Sequence, residues 1–273
     1  MNHAWKAWLI VGAVLALVVG VVLKGPIAQY ADYHEFADAR TIWGVPSFWN
    51  VVSNVPFAIV GVWGLVATWR MGLVGRAGVV PSGLLTRTER WCWSVFFVGV
   101  FLTCFGSSYY HLAPDDHRLV WDRIPIAIAF MGLTCAIVAE RVSARVAGWM
   151  LAPLTIAAAA SVFHWYHTQM AGASDLRSSV LVQGGAMIVV IGCAALYRPR
   201  HVRNWVIMAS VAAYALAKVF EMNDGATMKL LAIGSEGVMS GHTLKHLLAA
   251  VGPACVAFAL AKMVKAKNDQ VVK

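Results

Sequence analysis

Eight long apolar runs, separated by short polar connections, set the pattern of this chain: Trp5 to Leu23, Phe48 to Trp69, Arg90 to His111, Leu119 to Glu140, Gly148 to Trp165, Ser179 to Tyr197, Trp205 to Phe220 and His242 to Lys262. Each is long enough, or nearly so, to cross a hydrocarbon core of about 30 Å as a helix. The pattern predicts an all-α, multipass transmembrane helix bundle, with a seven-helix core preceded by one extra N-terminal helix. The first run has the short basic start of a signal peptide. However, Lys24-Gly25-Pro26 follows it at once with no small-residue cleavage site, so we expect a retained helix. The organisation expected is an N-terminal helix and linker over 1–30, one seven-helix domain over 31–265 and a cytoplasmic tail over 266–273.

Composition agrees with a membrane protein. Of 273 residues, 60% are hydrophobic and 13% charged, and the mean hydropathy is +0.68. The net charge of +9 does not point to nucleic acid, because the basic residues fall in the connections between runs. Fourteen Lys and Arg, among them Arg70, Arg76, Arg87, Arg90, Arg200, Lys265 and Lys273, fall in one set of alternate connections. Five (Lys24, Arg40, Arg118, Arg177 and Lys229) fall in the other. This asymmetry places both termini in the cytoplasm and the acidic stretch Asp32, Glu35, Asp38 outside. Five cysteines (Cys92, Cys104, Cys135, Cys193 and Cys255) sit singly inside apolar runs and read as packing residues.

Ionisable groups at membrane depth are costly and call for a reason. In Gly106 to Pro125, Ser107 and His111 are four residues apart, hence on one helical face, and Pro114-Asp115-Asp116 makes a tight turn. Asp122 then returns about one turn into the next helix, at the depth of Ser107 and His111. His242 and His246 repeat the four-residue spacing at the start of the last run. Two histidines on one helical face, a third from another helix and no cysteine ligand match a catalytic zinc site with an open fourth position. Such an ion makes amide or ester hydrolysis available, with Asp122 as proton carrier and Ser107 as hydrogen-bond donor to the oxyanion. A site just below the outer surface meets acyl chains laterally, so the expected partner is a membrane lipid, with no nucleic acid and no protein partner implied.

The Ser-x3-His, the Asp one hairpin later and the terminal His-x3-His resemble the alkaline ceramidase family. That family belongs to a wider seven-helix metal-hydrolase superfamily that includes the progestin and adipoQ receptors. Phe48-Trp49-Asn50-Val51-Val52-Ser53-Asn54 is similar to that family's Phe-Trp-Asn-x-x-Ser-Asn, and Asp122-x-x-Pro125 is similar too. The resemblance implies zinc on His111, His242 and His246, Ser107 and Asp122 as a non-ligand catalytic pair, and cleavage of a ceramide or a similar N-acyl lipid. It also implies that Asp32, Tyr33, Glu35 and Asp38 are a shifted calcium cluster, although Ser47 replaces a Glu of the pattern; the alternative is a solvated acidic loop. By the same resemblance Asp224 is a candidate substrate contact. Lys245, at a usually aromatic position, either meets a lipid headgroup or snorkels outwards. Lys218 and Glu221 are expected to pair with each other. The cluster His164-Trp165-Tyr166-His167 reads as interfacial aromatics, as do Trp43, Trp91 and Trp205. Two other readings remain: a receptor-like protein with a structural zinc, and a transporter.

Overall fold

A computed structural model describes residues 4–73, 85–233, 236–237 and 239–271. Of the residues used for the charge asymmetry, Arg76 and Lys273 lie outside these. The architecture is all-α. Helix α1 (Ala4–Lys24) is followed by a linker, the short α2 (Phe48–Val52), α3 (Val55–Leu73), α4 (Arg87–Leu112), α5 (Asp116–Arg141), α6 (Ala144–Met170), α7 (Arg177–Leu196) and α8 (Asn204–Met222). A two-turn α9 (Asp224–Leu230) and a small hairpin of two-residue strands, β1 (Ala232–Ile233) with β2 (Glu236–Gly237), lead to α10 (Gly241–Val271). Eight segments are long and apolar enough to cross a membrane, with α2 and α3 sharing one of them.

Local chemistry explains the boundaries. Thr86 and Glu89 form a reciprocal capping box on α4, and Asp115 accepts the Arg118 N–H at 2.6 Å to open α5. Ser143 caps α6 through Val146 N–H, so that helix begins four residues earlier than the apolar run and extends to Met170. The last helix runs on to Val271 instead of stopping near Lys262, so 266–271 is helical. The run beginning at Phe48 is broken at Ser53-Asn54. Pro56 has no N–H to give to the carbonyl four residues back, so α2 and α3 are two pieces.

Small residues bring the helices together, as membrane packing requires. A Cβ on Gly106 of α4 would lie 2.1 Å from the Trp121 carbonyl oxygen, and one on Gly132 of α5 would lie 2.4 Å from the Phe96 nitrogen. Gly64 of α3 admits the Phe97 ring in the same way. Helix α1 lies against α7, where Ile10 and Leu17 fit over Gly192 and Gly184, and Lys6 Nζ donates to the Leu196 carbonyl at 2.7 Å. Four of the five cysteines are buried and all five are free. Trp43, Trp91 and Trp205 are exposed as expected. Trp165 is not: it is wholly buried, because α6 turns this ring inward, where Arg123 stacks on it.

Residues 25–47 form a strap across the end of the bundle where α4 meets α5. The Leu176 N–H donates to Ile27 O at 2.8 Å, and Gln29 N–H donates to Ser174 Oγ at 3.1 Å. Asp175, which receives Ile27 N–H and three bonds from Arg177, anchors the strap's start. The hydrogen-bonding Arg177 side chain holds the Asp175 carboxyl down to about 2. Further on, His34 bonds both Tyr110 Oη (2.9 Å) and Asp116 (3.0 Å).

Candidate metal centre

Three imidazoles converge beneath the strap. His111 comes from the last turn of α4, and His242 and His246 from the first two turns of α10. One ring nitrogen from each lies within 4.8 Å of the others, and all three residues are buried. His111 Nε2 faces His242 Nε2 at 3.2 Å. A tetrahedral ion with metal–nitrogen bonds of about 2.0–2.1 Å holds its ligand nitrogens roughly 3.3 Å apart, so this separation fits a shared divalent cation. Two opposed imidazole lone pairs at that distance need a proton or a cation between them. The donor set therefore fits a metal, and imidazole suits several first-row ions.

The surroundings orient the rings. His246 Nδ1 bonds Ser53 Oγ at 2.8 Å, which turns Nε2 towards the centre. Ser53 sits at the break between α2 and α3, where Asn54 Nδ2 donates to the Asn50 carbonyl at 2.8 Å. Asn50 in turn donates from Nδ2 to Asp38 O at 3.1 Å and accepts the Thr243 hydroxyl at 2.9 Å. The Asn50, Ser53 and Asn54 of the Phe-Trp-Asn motif thus form the scaffold behind the α10 ligands. Such outer partners fix tautomer and ring orientation. Phe36 of the strap lies against His111 and His242, with ring centroids 4.7 and 4.5 Å away, and closes the centre from above. His111 Nδ1 is buried beneath it with no hydrogen-bond partner.

Ser107 and Asp122 are where the hairpin geometry puts them. Ser107 Oγ is 3.5 Å from His246 Nε2, and its side chain also meets that of Asp122. Both are buried, and one Asp122 carboxylate oxygen has no partner. They line a cavity of about 540 Å³ together with His246 and Lys245. Beyond these groups its wall is largely apolar, built from residues such as Phe96, Val100, Leu133, Val211 and Val256, with polar side chains that include Arg123, Ser179, Gln183 and Glu221 set into it.

The remaining expectations fare differently. Asp32, Tyr33, Glu35 and Asp38 are not gathered into a calcium site. Asp32 and Glu35 are exposed, and the buried Asp38 carboxylate takes a two-pronged ion pair from Arg40, at 2.8 and 2.6 Å. Asp224 does not face the cavity. Its two oxygens accept His242 N–H at 2.7 Å and Ala37 N–H at 2.9 Å, so it caps α10 and ties the strap down over the centre. Lys245 does not snorkel outwards. Its ammonium is 2.9 Å from Glu221 and 3.4 Å from His242 Nε2, and Glu221 also pairs with Lys218. Two contributors carried no signal as site residues: Ser53, quoted only within its motif, and Phe36. Their partners lie far away along the chain. Scanned against protein-family models the chain has no match, and no curated protein matches it by sequence.

Proposed function

We propose that this chain is a membrane-embedded, zinc-dependent amide hydrolase that cleaves ceramide or a similar N-acyl lipid to a fatty acid and a sphingoid base. The observation that carries the reading is the meeting of three imidazoles, one of which, His246, lines a largely apolar cavity together with Ser107 and Asp122. Resemblance of the Ser-x3-His, Asp and His-x3-His pattern to alkaline ceramidases points the same way.

Zinc on His111, His242 and His246 would supply a Lewis acid for the amide carbonyl and a water whose pKa falls to about 7. Asp122, placed beside Ser107 and carrying an unengaged oxygen, takes the proton of the attacking water and returns it to the departing amine. Ser107 donates its hydroxyl proton to the oxygen on which negative charge develops. Ser53 keeps His246 turned inward, and Phe36 keeps bulk water from above the rings. The apolar wall receives the acyl chain, so that only the amide has to reach the polar groups.

The test is fatty acid release from ceramide by the purified protein, with zinc content measured alongside. Asp122→Asn should keep its zinc and lose about 10²–10⁴-fold in rate, and Ser107→Ala about 10²–10³-fold. Zinc-loaded protein that releases no fatty acid, or Asp122→Asn protein hydrolysing at the unmodified rate, would overturn the mechanism.

A further inference from the structure

Among the described residues, Arg123 is a charged group on the cavity wall that the proposed reaction does not use; it feels the charge of the adjacent Asp122 but forms no ion pair with a carboxylate. Lys218 and Lys245 share Glu221, and Asp122 is engaged in the chemistry. Arg123 follows Asp122 on α5, so its side chain leaves the helix about 100° further round and reaches α6 and the strap. Its guanidinium carbon stands 3.9 Å from the centroid of the buried Trp165 ring and 4.9 Å from that of Tyr33. Nη2 donates to Gln29 Oε1 at 2.8 Å, while Nη1 is buried with no acceptor. The nearby carboxylate of Asp116 is occupied by His34, Gln29 and Gln169 instead. Across the same cavity wall the Ser179 hydroxyl of α7, nine-tenths buried, also has no partner.

Arg123 is partly buried with Nη1 shut off from solvent, and a charge at membrane depth is costly unless something negative meets it. Stacking on Trp165 fixes its plane and offsets part of that cost, yet leaves Nη1 without an acceptor. Guanidinium donors in a fixed fork match the oxygens of a carboxylate, phosphate or sulfonate. We propose that Arg123, assisted by Ser179, binds an anionic group on the amine half of the lipid substrate. The inference rests on the hydrolase reading and narrows it: the preferred substrates are N-acyl lipids with a negative charge near the scissile amide, and neutral ceramide is a poorer one.

Two matched pairs test it: N-palmitoylglycine against N-palmitoylethanolamine for a carboxylate, and ceramide 1-phosphate against ceramide for a phosphate. Binding of each is measured on purified zinc-loaded protein in nanodiscs, and hydrolysis of each is measured separately. Arg123→Gln should weaken the charged members by about 10–100-fold and leave the neutral members unchanged. Arg123→Lys should recover part of the preference, and Ser179→Ala should cause a smaller loss confined to the charged members. The pair with the larger Arg123 dependence identifies the anion. Equal binding of charged and neutral members by the unmodified protein, or an Arg123→Gln loss common to both, overturns the proposal. Fatty acid release from all four lipids without dependence on Arg123 would also sink it, while leaving the hydrolase reading intact. Charge-selective, Arg123-dependent binding without any hydrolysis would support the anionic ligand and sink the hydrolase reading instead.

Discussion

At the scale of single residues the centre separates ligands from the groups that aim them. His246→Ala leaves two imidazoles where three converge, and zinc content by elemental analysis should fall sharply. Ser53→Ala leaves all three ligands but frees His246 Nδ1, 2.8 Å away, to rotate. Removing an outer partner of this kind typically costs about 10–100-fold in metal affinity, which a chelator competition would read. Full zinc in the His246→Ala protein would remove the site as drawn, and unchanged affinity in Ser53→Ala would make that serine a bystander. The three histidines were legible because His242 and His246 sit four residues apart on one helix and His111 sits four residues from Ser107 on another. Ser53 was not legible as a support, since its partner lies 193 residues along the chain and local spacing carries no trace of it.

At the scale of elements, the approach of α4 to α5 decides whether Ser107 meets Asp122. Gly106 precedes Ser107, and its missing side chain lets the Trp121 carbonyl in. Because the group in the way is backbone, Gly106→Ala must push the helices apart. Overpacking of this sort costs about 1–3 kcal/mol, which should appear as a lower unfolding temperature in detergent together with slower lipid hydrolysis. Gly185→Ala, where a Cβ meets nothing within 4 Å, is the control and should alter neither. If both variants behave alike, close helix approach is not what sets the Ser107–Asp122 pair. The break at Ser53-Asn54 is a further element-level feature. It was hidden inside a continuous apolar run, yet it frees the backbone that positions Asn50 and Ser53 behind α10.

At the scale of the whole molecule, the unequal distribution of Lys and Arg proposes an orientation, with both termini cytoplasmic and the centre near the outer surface. Ala113 and Arg198 are exposed and sit in connections at opposite ends of the bundle. In intact cells or sealed vesicles, Ala113→Cys should react with an impermeant thiol reagent from outside and Arg198→Cys should not. Four native cysteines are buried, so the background should be low. The reverse pattern would move the centre to the cytoplasmic face. The cavity joins Ser107, Asp122 and His246 to a largely apolar wall, which suits the proposed lipid substrate.

What the sequence by itself determined is what depends on near neighbours: eight spanning segments, from the free energy of moving apolar runs into lipid, and the shared faces of Ser107 with His111 and of His242 with His246, from helical geometry. Fold class and the choice of candidate metal-holding histidines follow from these terms, which act within a few turns. Only the tertiary structure decided where the long polar side chains go. Asp38 turns to Arg40 and away from any calcium cluster, Asp224 caps α10, Lys245 points inward to Glu221, and Trp165 is buried beneath Arg123. Each outcome depends on the rotation and closeness of helices distant in sequence, which glycines such as Gly106 permit. A charge at membrane depth takes whatever partner that packing brings within hydrogen-bonding distance, and for Arg123 that is Gln29 and not a carboxylate.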